Sequence, residues 1–271
     1  MYSSISIIGG KGQMGTLFAK FFRARGFKVY ISDLNTKLSN KEAVKKAELV
    51  MYAVPIAKTV TVIGETIPYL RNGQVVCDIS SLKVNSLNAM LKSPKGVQVF
   101  GLHPMFGSKV LELRDKKIVF CKGRGVRAQQ FFEGIFSAAG ADIVAMSADE
   151  HDELMLAVQG TVRLGNLLSV QILRDLDLNL LGLKKLGLSG KSVIGLDDPV
   201  YQKSFALLSS ILLQDPNLNS DLLCLNPGSK KLAKSLLSSA KLFAEVLSIE
   251  KSAKLKKLIQ KNITYLKNKL S

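Results

Sequence analysis

Histidine and cysteine are scarce in this chain of 271 residues, which has two histidines, His103 and His151, and three cysteines. Cys77, Cys121 and Cys224 are odd in number, widely spaced and set in apolar surroundings. That argues against both a disulfide framework and the paired spacing of a zinc site, so three buried thiols and no metal are expected. Apolar residues make up 47% of the sequence, yet no stretch reaches the roughly 18 unbroken apolar residues of a membrane-spanning helix. The first ten residues run directly into a predicted strand, without the charged start, apolar core and small-residue cleavage site of a secretory signal. A soluble, cytoplasmic protein without membrane partners is expected. Acidic residues are also few, 21 against 38 Lys+Arg, for a net charge of +17. From Lys230 to Ser271, eleven lysines face only Glu245 and Glu250. They lie in a leucine-rich helical pattern with Tyr265 nearly alone among them, whereas a single-strand nucleic-acid surface interleaves cations with aromatics. Nucleic acid is therefore disfavoured, and the lysines read as solvated outer faces.

No repeat or low-complexity linker divides the chain, but its pattern changes once. Up to residue 146, short β-branched runs alternate with helical pattern, which predicts a mostly parallel α/β sheet covered by helices. The predicted strands are Ser4 to Ile8, Lys28 to Ser32, Leu49 to Val54, Gln74 to Ile79, Val97 to Gly101, Lys117 to Cys121 and Asp142 to Val144. After Met146 the strand signal stops, and Ser147-Ala-Asp-Glu150 has the form of a capping box opening a long helix. Residues 1–146 are thus expected to form a Rossmann-like domain and 147–271 an all-helical one. Leucine-rich runs such as Leu207 to Leu213 and Leu236 to Leu247 suit either a bundle core or a second subunit.

The glycines present carry the first functional signal. Gly10-Lys-Gly-Gln-Met-Gly15 fits G-x-G-x-x-G, follows a predicted strand and opens a predicted helix, the context that marks a dinucleotide site. Gly10 permits the tight turn, Gly12 lets backbone approach a pyrophosphate, and Gly15 lets helix pack on strand, while Lys11, Gln13 and Met14 complete the loop. Asp33, at the end of the second strand, stands where a carboxylate binds ribose hydroxyls and repels a 2′-phosphate, favouring NAD over NADP. Val54 and Pro55 after the third strand, and Asp78-Ile-Ser-Ser-Leu-Lys83 after the fourth, fall at the carboxyl edge where such sheets place ligands. Gly101-Leu-His-Pro-Met-Phe-Gly107 then brings His103 to the same edge, with Pro104 holding it in an extended turn. An imidazole can take a hydroxyl proton as hydride leaves for a nicotinamide, so His103 is the candidate base of a dehydrogenase.

These segments, with His151-Asp152, Met155 and Gln159, Asp198-Pro-Val-Tyr201 and Gln214-Asp-Pro216, resemble the prephenate dehydrogenase family in the same order along nearly the whole chain. The pattern is most similar to the type in which a chorismate mutase precedes the dehydrogenase. With the first strand at residue 4, no mutase is expected ahead of it. The resemblance implies NAD-dependent oxidative decarboxylation of prephenate to 4-hydroxyphenylpyruvate, in tyrosine biosynthesis, on a Rossmann domain joined to a helical dimerisation domain. It gives His103 the role of proton acceptor and Ser81 that of orienting it. A related acid, arogenate or an amino-substituted prephenate, is the alternative substrate, and a non-catalytic NAD-binding homologue the alternative role.

Two positions depart from the family pattern. Gln202 stands where the family carries its substrate-binding arginine, and Arg163 where it carries a histidine. On a regular helix Asp152, Gln159, Arg163 and Asn166 would share one polar stripe, from which His151 points away and reads as structural. Arg163 is expected to compensate for Gln202 in binding a substrate carboxylate, with Gln159 beside it and Lys109 adding positive potential from the loop after Gly107.

Overall fold

The computed structural model describes residues 2–175, 214–248 and 252–270, with 203, 206, 207, 210 and 211 between them. All seven predicted strands form, and they join in one sheet of order β2-β1-β3-β4-β5-β6-β7. These are β1 Ser4–Ile8, β2 Lys28–Ser32, β3 Leu49–Tyr52, β4 Val75–Asp78, β5 Gln98–Pro104, β6 Lys117–Arg124 and β7 Asp142–Met146. The first five are parallel, β6 runs antiparallel to β5, and β7 is parallel to β6.

Helices cover both faces, which is why the central strands read as continuous apolar runs rather than alternating ones. Ile5, Ile7, Leu49, Met51, Val75 and Cys77 point to one face, where α1 (Gln13–Arg23) and α5 (Val126–Ala138) pack through Phe18, Phe22, Phe132 and Phe136. Val50, Tyr52 and Val76 point to the other, against Val44 of α2 (Asn40–Lys46), Ile63 of α3 (Ile56–Thr66) and Met90 of α4 (Val84–Leu91). The Phe18 and Phe136 rings meet edge to face with centroids 6.0 Å apart, the arrangement aromatic quadrupoles favour.

β7 runs into α6 (Ala148–Met155) through the expected capping box. Ser147 Oγ accepts from the Glu150 amide at 3.2 Å, and the Ser147 amide donates back to the Glu150 carboxylate at 2.8 Å. A π-helical turn, Leu156–Gly160, separates α6 from α7 (Thr161–Asp175). α8 spans Pro216–Cys224, started by Pro216 and capped by Asp215. The chain divides into two compact units at Pro227/Gly228, so the change of pattern at Met146 falls inside the first unit. The physical link is hydrogen bonding, because Asp152 on α6 accepts the amides of Lys83 and Val84 at the start of α4. The second unit holds α9 (Ser229–Ser248) and α10 (Ser252–Leu270), joined by an exposed Lys254 to Glu245 ion pair. Among the described residues no helix is long and apolar enough to cross a membrane.

Candidate active site

At the carboxyl end of β1 the chain turns sharply. Gly9 adopts φ 81°, a left-handed conformation that favours glycine. A Cβ on Gly15 would lie 2.4 Å from the Gly9 carbonyl, and one on Gly10 would lie 2.7 Å from the Ile31 side chain. Gly12 caps α1 without a side-chain hydrogen bond, and no acidic residue occupies the first turn. The helix start therefore keeps unsatisfied amides and positive dipole, which suit a pyrophosphate. Asp33, half-buried beyond β2, accepts the Lys11 amide at 2.8 Å and the Leu34 amide at 2.8 Å, and Lys11 Nζ donates to Asn35 O at 3.0 Å. The carboxylate is thus tied to the glycine turn, where ribose hydroxyls would meet it. The residues present fit a dinucleotide.

Further along the edge, Val54 packs against Gly9, whose added Cβ would approach its side chain to 2.9 Å, and Pro55 caps α3. Beyond β4 stands a buried ion pair that the sequence reading left out of the site. Lys83 Nζ donates to Asp78 Oδ2 at 2.6 Å and to Leu102 O at 2.7 Å, with both charged side chains fully buried. Gly101 makes room for it, since a Cβ there would come 2.9 Å from Lys83 Cδ. Ser80 Oγ donates to Asp78 Oδ2. Ser81 is half-buried and makes no hydrogen bond among the described residues.

His103 is not in a turn after β5 but within it, opposite Val119 of β6. The extended geometry imposed before Pro104 is compatible with antiparallel pairing, which carries the strand three residues beyond its predicted end. The ring is only 4% exposed. Its Nδ1 lies 2.8 Å from His151 Nε2, and His151 Nδ1 lies 2.8 Å from Asp152 Oδ1. The Lys83 and Val84 amides donate to the two Asp152 oxygens at 2.7 and 3.0 Å, and Asn226 Nδ2 donates to the Asp152 carbonyl at 2.9 Å. His103 Nε2 has no partner among the described residues. Burial lowers the His103 pKa well below its ordinary value, and His151 and the Lys83 ammonium lower it further. A buried, neutral imidazole beside a buried cation results.

His151 is therefore no bystander. His151 leaves α6 one residue before Asp152, and its ring still reaches both Asp152 and His103, while the π turn at Leu156–Gly160 changes the helix phase only beyond them, toward Arg163 and Asn166. Its inclusion in the His151-Asp152 segment of the resemblance was the available signal. Arg163 is half-buried on the first turn of α7, with Nε donating to Asn219 Oδ1 at 3.0 Å and Nη2 to Gln214 Oε1 at 3.1 Å. Burial lowers its pKa. α8, which carries Asn219, also accepts the Ala57 amide on Asp221 at 3.1 Å, so this cluster sits against the start of α3 beside Val54 and Pro55. Gln159, in the π turn, buries an Oε1 that has no partner among the described residues. Lys109 is elsewhere, exposed on the rim of a cavity of about 640 Å³ between α1 and residues 108–114, which His103 does not line. Ser108 Oγ donates to Gln13 Oε1 at 2.9 Å and ties that loop to the glycine turn. Gln202 and the Asp198 to Tyr201 segment lie outside the described residues.

Cys77 and Cys121 are buried as expected, with the Cys121 thiol pushed up to about 12 mainly by burial. Cys224 is exposed, a correction, because the end of α8 faces solvent. Among the described residues no cluster could hold a metal.

A mostly parallel sheet covered on both faces, with a glycine turn after β1 whose helix start lacks a side-chain cap, defines a dinucleotide-binding domain of Rossmann type. Residues 18–116 match the family model described as prephenate dehydrogenase, nucleotide-binding domain. The resemblance carried by the motifs therefore extends, over this part of the chain, to a family model, and relatives are found over most of the chain. A probable arogenate/prephenate dehydrogenase of Methanocaldococcus jannaschii is 27% identical over 262 residues, 90% of this chain and 56% of the relative. The T-protein of Enterobacter agglomerans is 31% identical over 230 residues, 85% of this chain and 58% of its own length. The chain thus spans little more than half of these relatives. The crystal structure of prephenate dehydrogenase from A. aeolicus, in complex with hydroxyphenyl propionate and NAD+, has the same fold, with TM-score 0.70, 16% identity and 98% of each chain covered.

Proposed function

We propose that this chain catalyses the NAD-dependent oxidative decarboxylation of prephenate to 4-hydroxyphenylpyruvate, in tyrosine biosynthesis. The observation that carries the reading is the buried His103, kept neutral, with its Nε2 unpartnered at the carboxyl edge of the sheet. It stands three strands from β1 in the sheet order, about 14 Å at the usual strand spacing. That separation suits an extended cofactor whose pyrophosphate rests on the glycine turn. NAD, when bound, supplies the hydride acceptor. The chain contributes the rest: Gly10, Lys11, Gly12, Gln13, Met14 and Gly15 hold the pyrophosphate, and Asp33 the ribose. Val54 and Pro55 line the cofactor's path, and His103 takes the ring hydroxyl proton. Ser81, with a free hydroxyl beside this edge, assists in orienting His103 and substrate. Loss of the ring carboxylate restores aromaticity, so alignment is the main task left to the protein.

Arg163 presents a half-buried guanidinium whose Nη1 is unused among the described residues, and it is assigned to a substrate carboxylate. Gln159 and Gln202 complete the proposed substrate set, and Lys109 contributes positive potential from the more distant loop that Ser108 ties to the glycine turn. The two-substrate name of the Methanocaldococcus jannaschii relative favours a second reading, in which arogenate is turned over, and an amino-substituted prephenate is the further alternative. We place the enzyme in the cytoplasm, as a homodimer joined through residues 147–271, with 1–146 binding the cofactor.

The test is purified protein with NAD and, in turn, prephenate and arogenate, followed by absorbance of the reduced nicotinamide. Turnover of either supports the reading and names the substrate, whereas no reduction with any cyclohexadienyl acid overturns it. Arg163→Ala is expected to raise KM at least tenfold with kcat little changed, the loss of one charge-assisted pair of about 1.5–3 kcal/mol. Unchanged kinetics would remove Arg163 from the site.

A further inference from the structure

We propose that His151 and Asp152 are positioning residues that lock His103 in the tautomer with its proton on Nδ1 and its lone pair on Nε2. The base role this serves rests on the function proposed above. The inference itself needs only the chain of contacts from Asp152 to His103.

The argument starts at the carboxylate, an acceptor with no proton to give. Asp152 takes the Lys83 amide at 2.7 Å and the Val84 amide at 3.0 Å, which fixes its plane against the start of α4. His151 Nδ1, 2.8 Å from Oδ1, must therefore be the donor. A neutral imidazole protonated on Nδ1 can only accept at Nε2. In the 2.8 Å contact between His151 Nε2 and His103 Nδ1, the proton then belongs to His103. The same exclusion applied once more leaves a bare lone pair on His103 Nε2, the ring nitrogen without a partner. All three side chains are enclosed, at 4%, 0% and 3% exposure for His103, His151 and Asp152, so water competes little for these contacts.

This order also provides for the proton during turnover. The substrate O–H bond breaks and an N–H bond forms at His103 Nε2. The Nδ1 proton of His103 can then move along the existing hydrogen bond to His151 Nε2, which brings the positive charge beside the Asp152 carboxylate. When the ring becomes aromatic its oxygen is left as a phenolate, and the proton returns by the reverse path. No net proton is released, so the two histidines store one proton for part of each cycle.

Because the chain has only two histidines, nitrogen NMR of full-length protein labelled with ¹⁵N in histidine reads both rings directly. At neutral pH both are expected to carry hydrogen on Nδ1 and none on Nε2. A proton on Nε2 of either ring overturns the proposal, including the case of a doubly protonated His151 that would reverse the chain. His151→Phe assigns the signals and should let His103 populate the Nε2–H form. A His103 still locked on Nδ1 in that variant also overturns it. Asp152→Asn, checked for folding by its melting curve, should lower kcat about 10- to 100-fold while KM and NAD affinity change less than about twofold. Unchanged kcat in a folded Asp152→Asn protein counts against the lock. If wild-type protein shows both rings on Nδ1 yet reduces no NAD with any cyclohexadienyl acid, the lock stands and the dehydrogenase reading falls.

Discussion

His103 and Lys83 are both buried basic side chains. In the role proposed for it the imidazole works only while neutral, and burial, His151 and the Lys83 ammonium all depress its pKa below the ordinary 6.5. A base held in this way should keep the acid limb of the pH profile of kcat/KM below pH 6.5, and His103→Asn should lower kcat by orders of magnitude with NAD affinity preserved. The same shift acts on stability. Between the depressed folded value and about 6.5 the unfolded chain binds the proton that folded His103 refuses, so unfolding free energy falls as pH drops through that window. His103→Asn should flatten this dependence in urea titrations, and an unchanged slope would assign it to other groups. Lys83 faces the Asp78 carboxylate at 2.6 Å, with both side chains fully buried. Lys83→Met would leave that carboxylate buried and unpaired, at a cost of about 3–5 kcal/mol. Chemical denaturation of the variant measures it, and a loss under 1 kcal/mol would mean that the pocket readily admits water.

At the scale of elements, the glycine turn and the π turn each set a direction. α1 packs so close to the turn before it that Gly15→Ala would drive a methyl into the Gly9 carbonyl, 2.4 Å away. Such overpacking costs about 1–3 kcal/mol. It also displaces the amides aimed at the pyrophosphate, so NAD affinity should fall at least tenfold, as fluorescence titration can show. The π turn at Leu156–Gly160 lets α6 present His151 and Asp152 to β5 and α4 while α7 presents Arg163 to α8. This is where the helical-wheel reading of residues 152–166 fails, because a periodicity argument assumes the very regularity that the turn interrupts.

On the scale of the whole molecule, apolar side chains remain uncovered in the second unit, among them Leu237 at 58% and Leu247 at 64% exposure on α9. If the homodimer proposed above forms through these helices, the wild type should sediment as a dimer and the Leu237→Glu, Leu247→Glu double variant as a monomer. A monomeric wild type would instead mean that these leucines are solvent-facing. The lysine-rich surface of the same helices gives a separate expectation. Sedimentation should depend little on salt, because apolar burial is not screened by ions whereas lysine-driven association is.

The seven strands, their helical covers and the glycine turn were determined by the sequence alone, because apolar runs, turn residues and G-x-G-x-x-G act through neighbours close along the chain. The candidate base was legible for the same reason, as His103 lies within a compact motif at a strand end. What only the tertiary structure decided was the company His103 keeps. His151 is 48 residues away, Asp152 is bound to amides 68 and 69 residues away, and Lys83 reaches under β5 to the Leu102 carbonyl. No local pattern encodes these contacts. They exist because docking α6 onto α4 and β6 buries polar groups that must find partners, and the partners they find are one another.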